Sequence, residues 1–156
     1  MDIHSLFKED QKNIRLYKQN KISAKELRIR NKTISDKFLR ILKEKGFPCK
    51  KGNVRTKEYQ SAVVLTLHQP IRKIKKIYNE LKTKGYCLDK KDEAYLIDKI
   101  RIRERKRQIY GTQYKILNDR IKFLPIKNRK QVDKLRKEMG LETLKKYKEI
   151  AEKNIK

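Results

Sequence analysis

The sequence predicts a mainly α-helical protein of about six helices with one small β-hairpin near residues 108–126, all within a single domain spanning 1–156. Three observations carry that expectation. Apolar residues recur at helical spacing through most of the chain. Start and stop signals bracket those stretches, among them a Ser23-x-x-Glu26 capping box and the positions Gly46, Pro48 and Gly140. After Ile100 the period shortens to alternation, around the turn pair Asn118-Asp119.

Residues 2–19 form the first expected helix, with Ile3, Leu6, Phe7, Ile14 and Tyr17 on an imperfect face, a peripheral element whose terminus frays. The capping box starts a second, whose stripe runs Leu27, Arg30, Ile34, Phe38, Ile41 and Leu42, with a break expected at Asn31–Thr33. "EKGFP" stops it, because Gly46 suits a left-handed C-cap and Pro48 cannot continue a helix. "CKKGNVRT" is a loop turning at Gly52-Asn53. From Lys57 a third helix carries Tyr59, Ala62, Val63 and Leu67, apolar enough to be the most buried, and ends at His68, Gln69 and Pro70. Ile71, Ile74, Ile77, Tyr78 and Leu81 follow at helical spacing with Arg72, Lys73, Lys75 and Lys76 between them, so one face is core and the other cationic. Asp89 caps a fifth helix bearing Ala94, Leu96, Ile97 and Ile100. "KIRIRER" then alternates, and "QIYGTQYKILNDRIKFLPI" forms two short strands. Asn128 caps a helix with Val132, Leu135 and Met139 inward. Gly140 ends it, and Leu141 supplies the hydrophobic contact of a C-cap motif. A last helix from 143 to about 153 turns Leu144, Tyr147 and Ile150 inward.

At 156 residues the chain is long enough to bury a core, yet 41% of it is charged, against about 25% in an ordinary globular domain. Periodicity places it among folded proteins. "MDIHSLFKED" carries charges where a signal peptide needs an apolar run, and "AVVLTL" is too short to cross a bilayer, so the expectation is a cytoplasmic protein without a membrane partner. Cys49 and Cys87 lack C-x-x-C spacing and clustered histidines, so no metal site is expected. Without a P-loop, G-x-G-x-x-G, H-E-x-x-H or nucleophile elbow, no cofactor and no enzyme class is assigned.

Lys and Arg number 45 against 19 Asp and Glu, a formal net charge of +26. So basic a body attracts polyanions and repels its own copies at low salt. The Lys, Ile, Asn and Tyr content also fits an A/T-biased genome, but such a bias raises Lys without leaving so few acids. The expected partner is nucleic acid, DNA or RNA, or another polyanion, held by its phosphates with little sequence preference. The expected contacts are the face Arg72, Lys73, Lys75 and Lys76 and the cluster Arg101, Arg103, Arg105, Lys106 and Arg107. Tyr110 and Tyr114 flank that cluster and could stack unpaired bases.

Other chemistry has few candidates. His4 lies at the fraying terminus, and His68 closes the most apolar helix. Asp98 falls among Leu96, Ile97 and Ile100, where a carboxylate needs a partner, and Lys99, Arg101 and Arg103 are the nearest cations. In "RQIYGTQY", Gly111 permits a positive φ or a close approach, while Gln108, Thr112 and Gln113 surround it with donors and acceptors.

These stretches resemble a bacterial domain-of-unknown-function family, number 6624. "EDQKNIR" is similar to its acidic-Gln-x-x-x-Arg opening through Asp10, Gln11 and Arg15. "SDKFLRILKEKGFP" resembles an Asp-led helix ending Gly-Trp-Pro, with Phe47 for the Trp, and "AYLIDKI" resembles Ala-Tyr-Leu-x-Asp-Arg. The Gln-x-Tyr-Gly-Thr-Gln hallmark is matched by Gln108, Tyr110, Gly111, Thr112 and Gln113. "VDKLRKEMGLETLKKY" keeps Val132, Asp133, Arg136, Gly140, Leu141, Leu144 and Tyr147 of its close. The resemblance carries no activity with it but implies a polar constellation: His68, Asp98, Tyr110, Thr112, Gln113 and Arg136. It also implies losses, since Leu67-His68-Gln69-Pro70 stands for Gln-His-x-Asp, Lys99 for an Arg, and Leu135 for the first Arg of a pair. The alternative function it suggests is an enzyme, intact or degenerate. His68 would be its acid or base, and Asp98 would orient it or hold a charged substrate. Thr112, Gln113 and Arg136 would bind an anionic or nucleotide-like substrate beside Gln108, Tyr110 and Gly111.

Overall fold

A computed structural model describes residues 2–49, 56–85 and 88–155. Its contacts gather into two units, Met1–Cys87 and Leu88–Lys156. The described residues are mainly helical, with seven helices and a single two-stranded hairpin. None of these helices is long and apolar enough to cross a membrane. The expected turn at Gly52-Asn53 and the thiol of Cys87 lie outside the described residues.

The first unit holds α1 (Ile3–Lys18), α2 (Ala24–Lys45), α3 (Lys57–Leu67) and α4 (Ile71–Thr83), with α1 packed on α2 and α3, and α3 on α4. Far from lying loose, α1 buries Ile3 and Leu6, and the Asp2 carboxylate accepts from the Ser5 amide at 2.7 Å. The capping box is complete: Ser23 Oγ accepts from Glu26 N, and the Glu26 carboxylate accepts from Ser23 N at 2.8 Å. Contrary to expectation, α2 runs through Asn31–Thr33 unbroken, the Thr33 hydroxyl being absorbed by the Ile29 carbonyl one turn back. Gly46 closes it at φ 75°, donating to Leu42 O. Phe38, Tyr59, Ala62, Leu65, Ile74 and Leu81 form the core, each large side chain contributing roughly 1.5–3 kcal/mol by burial. Because α4 buries Ile74, Ile77 and Leu81, its other face keeps Arg72, Lys75 and Lys76 in solvent.

The second unit holds α5 (Lys90–Arg103), β1 (Tyr114–Leu117), β2 (Arg120–Phe123), α6 (Val132–Glu138) and α7 (Leu144–Lys153). Asp89 caps α5 as expected, accepting from Lys91 N at 2.9 Å. The alternating "KIRIR" is helical, since α5 continues to Arg103 with Ile100 and Ile102 half-buried. The strands pair antiparallel in the register Tyr114 with Phe123 and Leu117 with Arg120. Asn118 and Asp119 turn between them at φ 49° and 58°, the doubly left-handed turn that this dipeptide favours. Residues 108–113, expected to be strand, are instead a bent segment, joined to the chain beyond β2 by a bridge from Gln108 to Ile126. Asn128 does not cap α6. It ties to Gln131 through side chain and backbone, and the helix begins after Gln131. Gly140 ends α6 at φ 68°, and Leu141 N returns to Arg136 O at 2.8 Å.

Candidate functional site

The bent segment 108–113 is shaped by one carboxylate. Asp98 sits in the second-to-last turn of α5, fully buried, and accepts from Ile109 N (2.7 Å), Tyr110 N (3.1 and 3.2 Å to its two oxygens), Thr112 N (3.0 Å) and Thr112 Oγ1 (3.1 Å). The ion pair with Lys99, Arg101 or Arg103 suggested by sequence is replaced by three backbone amides and a hydroxyl. These donors fill the roughly four acceptor positions a carboxylate offers. Gln108, fully buried, closes the segment from the other side: its amide donates to Gln113 O and Leu124 O, and its oxygen accepts from Gln113 N.

Arg136 of α6 secures the carbonyls of the same bend. It is 1% exposed, and its guanidinium donates to Tyr110 O (2.6 Å), Gly111 O (3.4 Å) and Glu142 O (2.5 Å). It also lies 4.9 Å over the Tyr147 ring, whose hydroxyl donates to Thr112 O at 3.2 Å. Burial draws the Arg136 guanidinium below its ordinary value, and burial followed by the neighbouring Tyr95 phenol pushes Tyr147 well above the usual tyrosine range. Tyr110 is raised as well, by burial and then by Asp98. Gly111, at φ 68°, could not carry a Cβ without placing it 2.7 Å from Leu144 Cδ2. Asp98, Gln108, Gly111, Thr112, Gln113 and Arg136 are thus brought together, and most of their polar atoms are engaged with backbone. The Gln113 amide, half-buried, bonds Thr112 Oγ1 at 3.2 Å. Tyr114 packs edge-on against Phe123 and Tyr147.

His68 belongs to the first unit and has a partner that sequence spacing did not suggest. At the C-cap of α3 it donates from Nδ1 to Asp10 Oδ2 at 2.9 Å, its side chain 38% exposed and the aspartate's 4%. Asp10 also accepts from Gln11 Nε2 at 2.9 Å. The next residue, Gln69, is buried, accepting from Ser35 Oγ and donating to Leu65 O. One turn along α1 from Asp10, Asn13 is 2% exposed; its oxygen accepts from Arg30 Nη1 at 3.3 Å, and its amide nitrogen has no partner.

The cations expected to meet phosphate differ in their commitments. Lys73 Nζ bonds Ser35 Oγ and pairs with Asp36 at 3.6 Å. With Lys76 it borders a cleft of about 490 Å³ floored by Leu39, Leu42, Phe47 and Ile77. Arg101 Nε donates to Arg107 O, and Lys106 pairs with Glu104 at 2.8 Å. Arg103, Arg105 and Arg107 are exposed.

Comparison with known proteins matches residues 30–155 to the family of unknown function DUF6624. The chain belongs to that family. Neither the curated proteins nor the solved structures gave a match. The hallmark of the DUF6624 resemblance, Gln108 to Gln113, is the bend that wraps Asp98, and Asp98, Arg136 and Tyr147 are its supports. The Asp10 segment precedes the matched range, which begins at Arg30.

Proposed function

We propose that this DUF6624 protein is a cytoplasmic nucleic-acid-binding protein that holds phosphates through exposed arginines with little regard to sequence. The observation that carries the proposal is the group Arg103, Arg105 and Arg107, three exposed guanidiniums within five residues at the end of α5, on a chain of net charge +26. Arginine forks match phosphate oxygens, and each phosphate neutralised releases condensed counterions. The fold supports this use, since Asp98 fixes the segment following the cluster through its hydrogen bonds to residues 109–112. Arg72 and Lys76 add cations on α4.

Fluorescence anisotropy with a labelled single-stranded 20-mer, as RNA and as DNA, tests the proposal at about 50 and 200 mM salt. Tight binding at the lower salt and a steep loss at the higher is expected. Replacing Arg103, Arg105 and Arg107 together by Gln lowers the slope of log K against log salt by about 2, roughly 0.7 per lost contact on a single strand. No binding at the lower salt overturns the function, and an unchanged slope in the triple variant overturns the assignment of these arginines.

A further inference from the structure

We propose that Asp10 and His68, with Asn13 and Arg30, form a binding site for a phosphate ester in the first unit, with the imidazole Nε2 as the ring atom that meets the ligand. His68 is anchored on one side only. Its Nδ1–H is spent on Asp10 at 2.9 Å, which leaves Nε2 as the nitrogen able to meet a ligand, and no described residue bonds to it. The backbone beneath the ring is fixed, because Gln69 is tied to Ser35 and Leu65 and Pro70 follows. A buried carboxylate orienting a part-exposed imidazole is how a histidine is held to one tautomer.

The second observation is Asn13. It lies three residues after Asp10, on the same face of α1. Arg30 donates to its oxygen, which points the amide assignment one way and leaves Nδ2, on a side chain 2% exposed, without an acceptor. A buried donor left unmade costs about 1–3 kcal/mol, a cost that a ligand oxygen would remove. If the Asp10–His68 pair served only to join α1 to α3, nothing in that role would leave the neighbouring buried amide without an acceptor. Arg30, exposed beside it, supplies the charge that matches an anion. An amide donor, a guanidinium and an imidazole, from α1, α2 and the end of α3, suit a tetrahedral oxyanion better than a planar carboxylate. The site uses none of the arginines at the end of α5, so it stands apart from the nucleic-acid proposal.

The chain has two histidines, which makes ring NMR a direct test. His4 is the internal control: its Nδ1 lies 2.9 Å from Ser61 Oγ, whose own hydroxyl is given to Lys57 O. Phenyl phosphate is titrated into the full chain while the ring nitrogens of both histidines are followed. Saturable movement of His68 with His4 unmoved is expected, with benzoate at least tenfold weaker. Arg30→Gln and Asn13→Ala each weaken phenyl phosphate about tenfold, while the Gln variant of Arg103, Arg105 and Arg107 binds it unchanged. Arg30 is exposed, so its variant tests the site even if Asn13→Ala does not fold. Linear, unsaturated movement of both rings, or wild-type affinity in Arg30→Gln, overturns the site. So does equal binding of benzoate, in favour of diffuse attraction by the basic surface.

Discussion

A buried carboxylate destabilises a fold by several kcal/mol unless donors meet it, and the donors that meet Asp98 come from the segment it must shape. Asp98→Asn turns an acceptor oxygen into an NH2 group facing backbone N–H groups, so the loss exceeds one hydrogen bond: about 2–4 kcal/mol by urea unfolding is expected. A loss under 0.5 kcal/mol would show that the bend holds its own shape. Gly111→Ala combines an unfavourable positive φ with a Cβ that must push Leu144 Cδ2 from 2.7 Å, and about 2 kcal/mol is expected from the same measurement. Tyr147 supplies a pH test. Its phenol keeps its proton above the ordinary value of 10.0, so its contribution is intact below pH 10 and lost as pH rises beyond it, because the unfolded chain releases that proton first. Absorbance at 295 nm should show Tyr147 ionising only with unfolding. Tyr147→Phe should unfold at a higher pH than the parent chain, and the same alkaline midpoint in both would contradict it. The sequence marked Asp98 as a carboxylate needing a partner, but backbone amides carry no sequence signature, and so cations were expected there. Asp10 and His68 are 58 residues apart, and only the packing of α1 on α3 brings them together.

At the scale of elements, the parts legible in advance were those with local causes. The Ser23 box, the Asp89 cap, the Gly46 and Gly140 stops and the Asn118-Asp119 turn each rest on chemistry within a few residues, and each is found. Where tertiary contacts decide, local patterns misled. Asn31–Thr33 is a weak helical run, but Ile34, Ser35 and Phe38 are buried just beyond it and carry α2 through. "KIRIR" alternates only because the last turns of α5 are half-buried, and 108–113 has β-like composition but is bent around Asp98. The capping box gives a quantitative check. Ser23→Ala should lower stability by about 1 kcal/mol at neutral pH. The Ser23 amide and then the Ser23 hydroxyl hold the Glu26 carboxyl below its ordinary 4.5, and Ser23→Ala keeps the amide but loses the hydroxyl, so the part of the box that the variant removes contributes fully above that pH and less as pH falls through the lowered value. The gap between parent and variant in urea midpoint should therefore narrow as pH falls below 4.5. A gap independent of pH would assign the effect to helix propensity.

For the whole molecule, an excess of 26 positive charges makes opposite predictions for the protein alone and with its partner. Alone, the folded chain concentrates like charges, and added salt shortens the screening length from about 10 Å at 0.1 M to 3 Å at 1 M. Its Tm should rise with sodium chloride by a few degrees, the equivalent of about 1 kcal/mol. With a single-stranded polyanion at a hundred times its low-salt Kd, binding to the folded form adds about 2.7 kcal/mol, and Tm starts high. Salt then removes that gain, since counterion release is the driving force. Two curves of Tm against salt, one rising and one falling until they meet, are expected from differential scanning fluorimetry. The same pair of curves should survive Arg30→Gln and lie closer together in the Gln variant of Arg103, Arg105 and Arg107. If the chain alone loses stability with salt, its surface charges attract more than they repel, and the excess of Lys and Arg would then stabilise the fold instead of standing ready for phosphate.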